Sequence, residues 1–247
     1  MVRAVIIDDE RNSRDIITLM LEKYCPGVEP VATAANCREG IALIRELRPQ
    51  LVFLDLEMPD GTGFDVLTGA YDETFEAVFV TAFEKRFLHT IRFAEVELIL
   101  KPIDKESLVA TVDKVLQRIN TNASKQRYEV LLNNFSKEEN DEKNLIIPAP
   151  DGAAPVIPIS MIDYLEGAGD KVVFHLQDSS ILPSTHGFRF YAELFNAMKF
   201  YQVNNQQIVQ LSHITKVDAD RNLVLLKSGA SVEVTERRKK ELLALWR

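Results

Sequence analysis

The stretch Leu51-Val52-Phe53-Leu54-Asp55-Leu56-Glu57-Met58-Pro59-Asp60-Gly61 sets four apolar residues directly before a carboxylate and then a turn. A run this uniformly apolar suits a strand buried on both faces, as in parallel sheets covered by helices. The same texture repeats on either side of it. Val5-Ile6-Ile7 precedes a helical stretch from Ser13 to Tyr24, Val31 to Ala34 precedes Cys37 to Leu47, and Leu51 to Leu54 precedes Phe64 to Ala70. Ala77 to Val80 then precedes Lys85 to Ala94, and Leu98 to Leu100 precedes a helix marked by Leu108, Val112, Val115 and Ile119. This alternation predicts βαβ units, and so a doubly wound, five-stranded parallel-sheet α/β domain over residues 1–122.

In such a sheet the ligand crevice lies beyond the carboxyl ends of the strands, which is where the polar residues fall. Asp8 and Asp9 follow the first strand, Asp55 the third, Thr81 the fourth and Lys101 the fifth. Unit charges about 4 Å apart interact by roughly 4 kcal/mol at an effective dielectric near 20, so three clustered carboxylates need a positive partner. A hard divalent cation with waters left to exchange for phosphoryl oxygens, Mg2+ above all, suits such a set. Asp55 could then attack phosphorus while the metal, Thr81 and Lys101 carry the charge of the transferred group. Haloacid-dehalogenase-like phosphatases also place an Asp nucleophile after an apolar strand. Their second Asp, two residues on, is replaced here by Glu57, with Met58 next, and that spacing excludes them.

Four motifs in order, Ile7-Asp8-Asp9-Glu10, Leu54 through Gly61, Val80-Thr81-Ala82 and Leu100-Lys101-Pro102, resemble the receiver domain of two-component response regulators over residues 1–120. The resemblance implies that Asp55 is the phosphoacceptor, modified by a sensor histidine kinase, and that Asp9, Asp55 and the backbone carbonyl of Glu57 bind Mg2+ directly. It implies further that Asp8 assists through water, that Thr81 and Lys101 grip the phosphoryl group, and that Lys101-Pro102 is a cis bond. The chain departs from many receivers at Leu98, three residues before the lysine, where an aromatic residue is frequent.

Beyond residue 120 the apolar runs stop, although Tyr128, Leu131, Leu132 and Phe135 keep a helical spacing. This predicts a prolonged fifth helix and then a polar linker near Ser136 to Asn144, so that residues 123–144 form a helical extension and linker. From Leu145 the texture turns to short β-rich runs at Leu145–Ile147, Val156–Ile159, Val172–Leu176, Ile181–Leu182, Gln207–Leu211 and Leu223–Leu226. Helical segments at Phe190–Met198 and Thr235–Trp246 complete a β-dominated domain over 145–247.

Three segments of that domain, Ile159 to Glu166, Phe200 to Val209 and Val232 to Arg238, resemble the LytTR family of DNA-binding domains, which bind DNA through loops. The resemblance places DNA contacts at Gly169-Asp170-Lys171, at Asn204-Asn205 and at Thr235-Glu236-Arg237. Lys171, Asn204, Asn205, Arg237 and Arg238 are the candidate DNA-binding residues. Asp170 and Glu236 stand where the family commonly offers a basic or neutral donor.

The 247 residues carry 29 Lys and Arg against 37 Asp and Glu, a net charge of -8 that excludes a polycation coating nucleic acid or an anionic membrane. The acid is concentrated at the front, net -7 over residues 1–120, -1 over 121–144 and 0 over 145–247. Cys25 and Cys37 lie outside any zinc or disulfide-scaffold spacing. With no signal peptide and no apolar stretch long enough to span a bilayer, a cytoplasmic protein is expected. The reading is a regulator rather than an enzyme: phosphorylated on Asp55, a homodimer when phosphorylated, and acting on promoter DNA. The alternative is a phosphorylation-controlled interaction module whose second domain binds a protein, or DNA only weakly.

Overall fold

The computed structural model describes residues 1–82, 85–119, 124–136, 142–196 and 198–246, with the side chains of all but 85–87. The chain divides into two compact units, Met1–Glu138 and Glu139–Arg247. In the first, the elements run β1 (Val2–Ile7), α1 (Arg11–Tyr24), β2 (Val28–Ala34), α2 (Cys37–Leu47), β3 (Leu51–Leu54), the short hairpin β4 (Glu57–Met58) and β5 (Gly61–Thr62), and α3 (Gly63–Gly69). There follow β6 (Glu76–Thr81), α4 (Lys85–Phe93), β7 (Glu97–Leu100), α5 (Lys105–Arg118) and α6 (Ser124–Phe135).

The five long strands form one parallel sheet in the order β2-β1-β3-β6-β7, so the winding reverses between β1 and β3. Every residue of β3 and β6 is buried, because helices cover both sides. On one side Ile17 and Leu21 of α1 and Leu108, Val112 and Val115 of α5 close over Ile6, Phe53 and Val78. Local chemistry fixes the helix starts: Asn36 caps α2, Thr62 and Asp65 form a reciprocal capping box on α3, and Asp104 caps α5. Both cysteines are free and buried, and burial pushes the Cys37 thiol up to about 12.

The expected prolonged fifth helix is instead two helices, with residues 120–123 between them outside the described set. α6 packs against α3 and α4, burying Tyr128, Val130 and Leu131. The Tyr128 hydroxyl donates to the Phe75 carbonyl at 2.8 Å and accepts from the Ala77 amide at 2.7 Å. Arg127 pairs with the buried Glu76, which Arg118 of α5 also meets at 3.3 Å. The helical spacing of Tyr128 and Leu131 therefore marks a buried face, and the helix is part of the first unit, not a spacer. Of the polar linker expected after it, residues 137–141 lie outside the described set and Asn144 already opens a strand.

The second unit runs β8 (Asn144–Ile146), β9 (Val156–Pro158), β10 (Ile162–Ala168), β11 (Lys171–Leu176), β12 (Ile181–Ser184), α7 (Phe188–Phe195), β13 (Phe200–Gln202) and β14 (Gln207–Gln210). It ends with β15 (Ile214–Asp218), β16 (Leu223–Leu226), β17 (Ser231–Glu233) and α8 (Glu236–Leu245). Its strands make an antiparallel sheet β12-β11-β10-β14-β13, a second, β15-β16-β17, and the pair β8-β9. A core of Val203, Val209, Ile214, Val224, Val232 and Leu242 joins both larger sheets to α8. A polar joint ties them again: Asp163 of β10, wholly buried, accepts from Ser228 and lies 3.1 Å from His213 Nδ1. Burial holds the His213 imidazole below the ordinary histidine range despite Asp163 beside it.

Candidate functional sites

Strand register delivers the first site. Ile7 is level with Leu54, and Thr81 with Leu100, so Asp8, Asp55, Thr81 and Lys101 all emerge at the carboxyl rim where the winding reverses. Asp8 and Asp55 are buried and Asp9 is exposed, and one ligating oxygen from each lies within 4.8 Å of the others. Lys101 reaches into this cluster, its Nζ 2.7 Å from Asp55 Oδ2, 2.9 Å from Asp8 Oδ2 and 3.5 Å from Glu10 Oε2. The Lys101-Pro102 bond is cis, and the Lys101 amide donates to the Thr81 carbonyl at 2.8 Å.

Burial raises the Asp55 carboxyl above the ordinary carboxylate value, and Lys101 offsets only part of this. Burial also disfavours the Lys101 ammonium, but its hydrogen bonds to Asp55 and Asp8 outweigh that and hold its pKa above the ordinary lysine value. The site thus has more acid than one ammonium neutralises. An all-oxygen donor set with one carboxylate facing solvent is chemistry that fits a hard divalent cation such as Mg2+. The Glu57 amide donates to Asp55 Oδ1 at 3.3 Å, fixing the loop whose carbonyl is the remaining candidate ligand.

Three supporting residues escaped the reading of the sequence. Ser13 of α1 donates to Asp8 Oδ2, and Arg14 Nη1 donates to the Asp8 and Asp9 carbonyls at 2.7 and 3.0 Å. Gly63 opens α3 so close to the site that a Cβ there would lie 2.6 Å from the Asp55 carbonyl oxygen. Ser13 had one legible signal, a small hydroxyl in the first helical turn after the acid pair. The other two depend on tertiary approach.

The second site gathers three loops. The Gly167 amide donates to the Gln206 carbonyl at 2.7 Å, joining the β10–β11 hairpin to the β13–β14 turn. Asn204 Nδ2 donates to the Glu233 carbonyl at 2.8 Å and the Thr235 amide to the Val203 carbonyl at 3.1 Å, joining that turn to the start of α8. The candidate residues do not stand equally at this rim. Lys171, Asn205 and Arg237 are exposed. Asn204 builds the turn, accepting from the Gln206 amide at 2.9 Å and donating to Gln207 Oε1 at 2.7 Å. Arg238 is half-buried and donates to the Gln202 carbonyl at 2.8 Å. Glu236 pairs with Lys239 at 3.1 Å, and that contact first, then Asn222, lowers its carboxyl pKa.

Comparison with known proteins bears on both sites. The response regulator receiver domain family matches residues 4–113, and the LytTr DNA-binding domain family matches residues 154–247. An uncharacterized response regulatory protein of Vibrio cholerae is 36% identical over 119 residues, covering 48% of this chain and 50% of that protein. The transcriptional regulatory protein BtsR of Escherichia coli is 26% identical over 253 aligned positions, covering 98% of both chains. Among solved structures, a DNA-binding response regulator of the LuxR family from Staphylococcus aureus is 28% identical, with a TM-score of 0.42 over 47% of this chain and 98% of that one. Among the described residues no helix is long and apolar enough to cross a membrane.

Proposed function

Since this chain belongs to the response regulators, joining a receiver domain to a LytTR DNA-binding domain, we propose that a sensor histidine kinase phosphorylates it on Asp55 and that the phosphorylated homodimer regulates transcription at promoter DNA. The observation that carries the reading is the carboxylate cluster of Asp8, Asp9 and Asp55 with Lys101 bonded across it. An oxygen of Asp55 attacks the phosphorus of phosphohistidine, so an O–P bond forms as the P–N bond breaks. Asp9, Asp55 and the Glu57 carbonyl would hold Mg2+, with Asp8 acting through water. Bound there, the ion would neutralise charge on the transferred phosphoryl oxygens. Lys101 and the Thr81 hydroxyl take the remaining oxygens, and Ser13 and Arg14 keep the acid pair oriented behind them. In the second unit, Lys171, Asn205 and Arg237 meet DNA from one rim.

Intact mass after treatment with acetyl phosphate and magnesium tests the receiver assignment. Wild type gains one phosphoryl group, while Asp55→Asn, or wild type treated with EDTA, gains none. Normal labelling of Asp55→Asn would refute the phosphoacceptor. Selection of bound fragments from a genomic library, with and without phosphodonor, tests the other half. A paired motif enriched only in the phosphorylated wild type is expected. Absence of enrichment would favour a protein partner for the second domain.

A further inference from the structure

Arg237, Arg238, Lys239 and Lys240 form the densest basic run of the second unit, and charge alone does not divide them. The fold separates them. Arg238 and Lys239 face inward, onto different sheets. Arg238 Nη1 donates to the Gln202 carbonyl of β13 at 2.8 Å, and the Tyr201 hydroxyl returns a bond to the Arg238 carbonyl at 3.0 Å while also reaching Glu241 at 2.9 Å. Lys239 is 13% exposed, and its Nζ donates to the Ala219 carbonyl at 2.7 Å, to Asn222 Oδ1 at 2.6 Å and to Glu236 at 3.1 Å. Ala219 and Asn222 lie in the turn between β15 and β16, where Asn222 has a left-handed φ of 55°. Two adjacent cations thus bolt the first turns of α8 to both sheets. Arg237 and Lys240 are exposed, and three residues apart on a helix they share one face.

We infer that this run divides by role: Arg237 and Lys240 contact DNA phosphates, whereas Arg238 and Lys239 are positioning residues that fix α8 at the rim. The inference rests on the DNA-binding reading above and deepens it. Lys240 becomes a binding residue, and Arg238 leaves the set of DNA contacts. The geometry also accounts for an acid at a DNA-binding edge. Glu236 is held by Lys239, so its charge is balanced within the helix and Arg237 keeps its full attraction for a polyanion. The start of α8 is tied through Thr235 and Glu233 to the turn that presents Asn205. A phosphate held by Arg237 and Lys240 would therefore set the register in which Asn205 meets a base edge.

Phosphate contacts are independent of sequence, so the probe is a random-sequence duplex, with the full chain's affinity followed by fluorescence anisotropy through a salt series. The log–log salt slope falls by about 0.9 for each phosphate contact removed. Arg237→Ala and Lys240→Ala are each expected to flatten the slope by that amount, making the affinity lost between about 50 and 200 mM salt roughly three- to fourfold smaller. Neither should move the urea midpoint read by Trp246 fluorescence. Arg238→Ala and Lys239→Met are expected to keep the wild-type slope, weaken binding equally at all salts and lower that midpoint, with Arg238→Lys recovering part of both losses. An unchanged slope in Lys240→Ala, or a flattened slope with an unchanged midpoint in Arg238→Ala, would overturn the division. The two exposed substitutions decide the matter even where an inward one prevents folding. A wild-type chain that binds no duplex at low salt would instead overturn the DNA-binding reading, and this inference with it.

Discussion

Gly63→Ala should strike phosphorylation without replacing any side chain that meets the phosphoryl group. A Cβ at position 63 would stand 2.6 Å from the Asp55 carbonyl oxygen, 2.9 Å from Phe79 Cε1 and 3.1 Å from Leu54 Cγ. Phe79 and Leu54 are wholly buried, so neither side chain has space to yield, and the first obstacle is backbone. Restoring ordinary contact at about 3.4 Å requires roughly 0.8 Å of movement, shared between the start of α3 and the residue carrying the nucleophile. Overpacking on this scale costs about 1–3 kcal/mol. At a urea dependence of about 1–3 kcal/mol per molar, the receiver's unfolding midpoint should fall by roughly 1 M. The chemical effect is steeper, because Asp55 is held 2.7 Å from Lys101 and a misplacement of about 1 Å can cost on the order of 100-fold in rate. A phosphorylation rate by acetyl phosphate about 10- to 100-fold below wild type is expected from an intact-mass time course. Gly27→Ala is the control, since its Cβ would meet nothing nearer than Leu116 at 3.8 Å. A Gly63→Ala protein with the wild-type rate and the wild-type midpoint in far-UV circular dichroism would refute the close approach.

Further perturbations test the remaining parts. Tyr128→Phe strips the buried face of α6 of the hydroxyl that satisfies the Ala77 amide and the Phe75 carbonyl. It should destabilise the receiver by about 1–3 kcal/mol in far-UV circular dichroism under urea, while the transition of Trp246, the single tryptophan and part of the second unit, stays put. Coincident shifts in both signals would contradict it. His213 binds its proton more weakly folded than unfolded, so its contribution is complete above the unfolded value near about 6.5 and is lost as pH falls through that value toward the folded one. The Trp246 urea midpoint should therefore drop between about pH 7.5 and 5.5, and less so in His213→Gln. A midpoint that rises on acidification would reverse the sign.

The receiver was legible because its order is written locally. Val52 and Phe53 are apolar on successive positions because both faces of β3 are covered, and a carboxylate at a strand end needs no distant partner to be noticed. Thr81 and Lys101 each follow a further apolar strand, and that place in sequence was enough to expect them at the same rim, where Lys101 meets Asp55 at 2.7 Å. Gly63 could not be read this way, since a glycine that admits a backbone from another element looks like any turn glycine. α6 shows the opposite failure. Its apolar spacing was visible, but the surface that covers it, at β6 and α4, lies tens of residues upstream. In the second unit β10 was hidden by Asp163, an acid that interrupts the apolar pattern and is buried only because His213 and Ser228 come to it from elsewhere.

Net charge misleads at the same level. A sum of zero over residues 145–247 counts the wholly buried Asp163 equally with the exposed Arg237, although only the second can release a counterion from DNA. Glu236 and Lys239 cancel within 3.1 Å of each other and contribute little at the distance of a phosphate. What remains at the start of α8 is Arg237 with Lys240, joined at the rim by Lys171 and opposed by Asp170, all exposed. A surface with a small local excess of cations suits a module that holds DNA weakly alone and gains from being paired, because two copies on one duplex double the number of phosphate contacts. Under the proposed function, the even charge of the domain leaves room for pairing to raise its affinity, whereas a strongly basic module would hold DNA paired or alone.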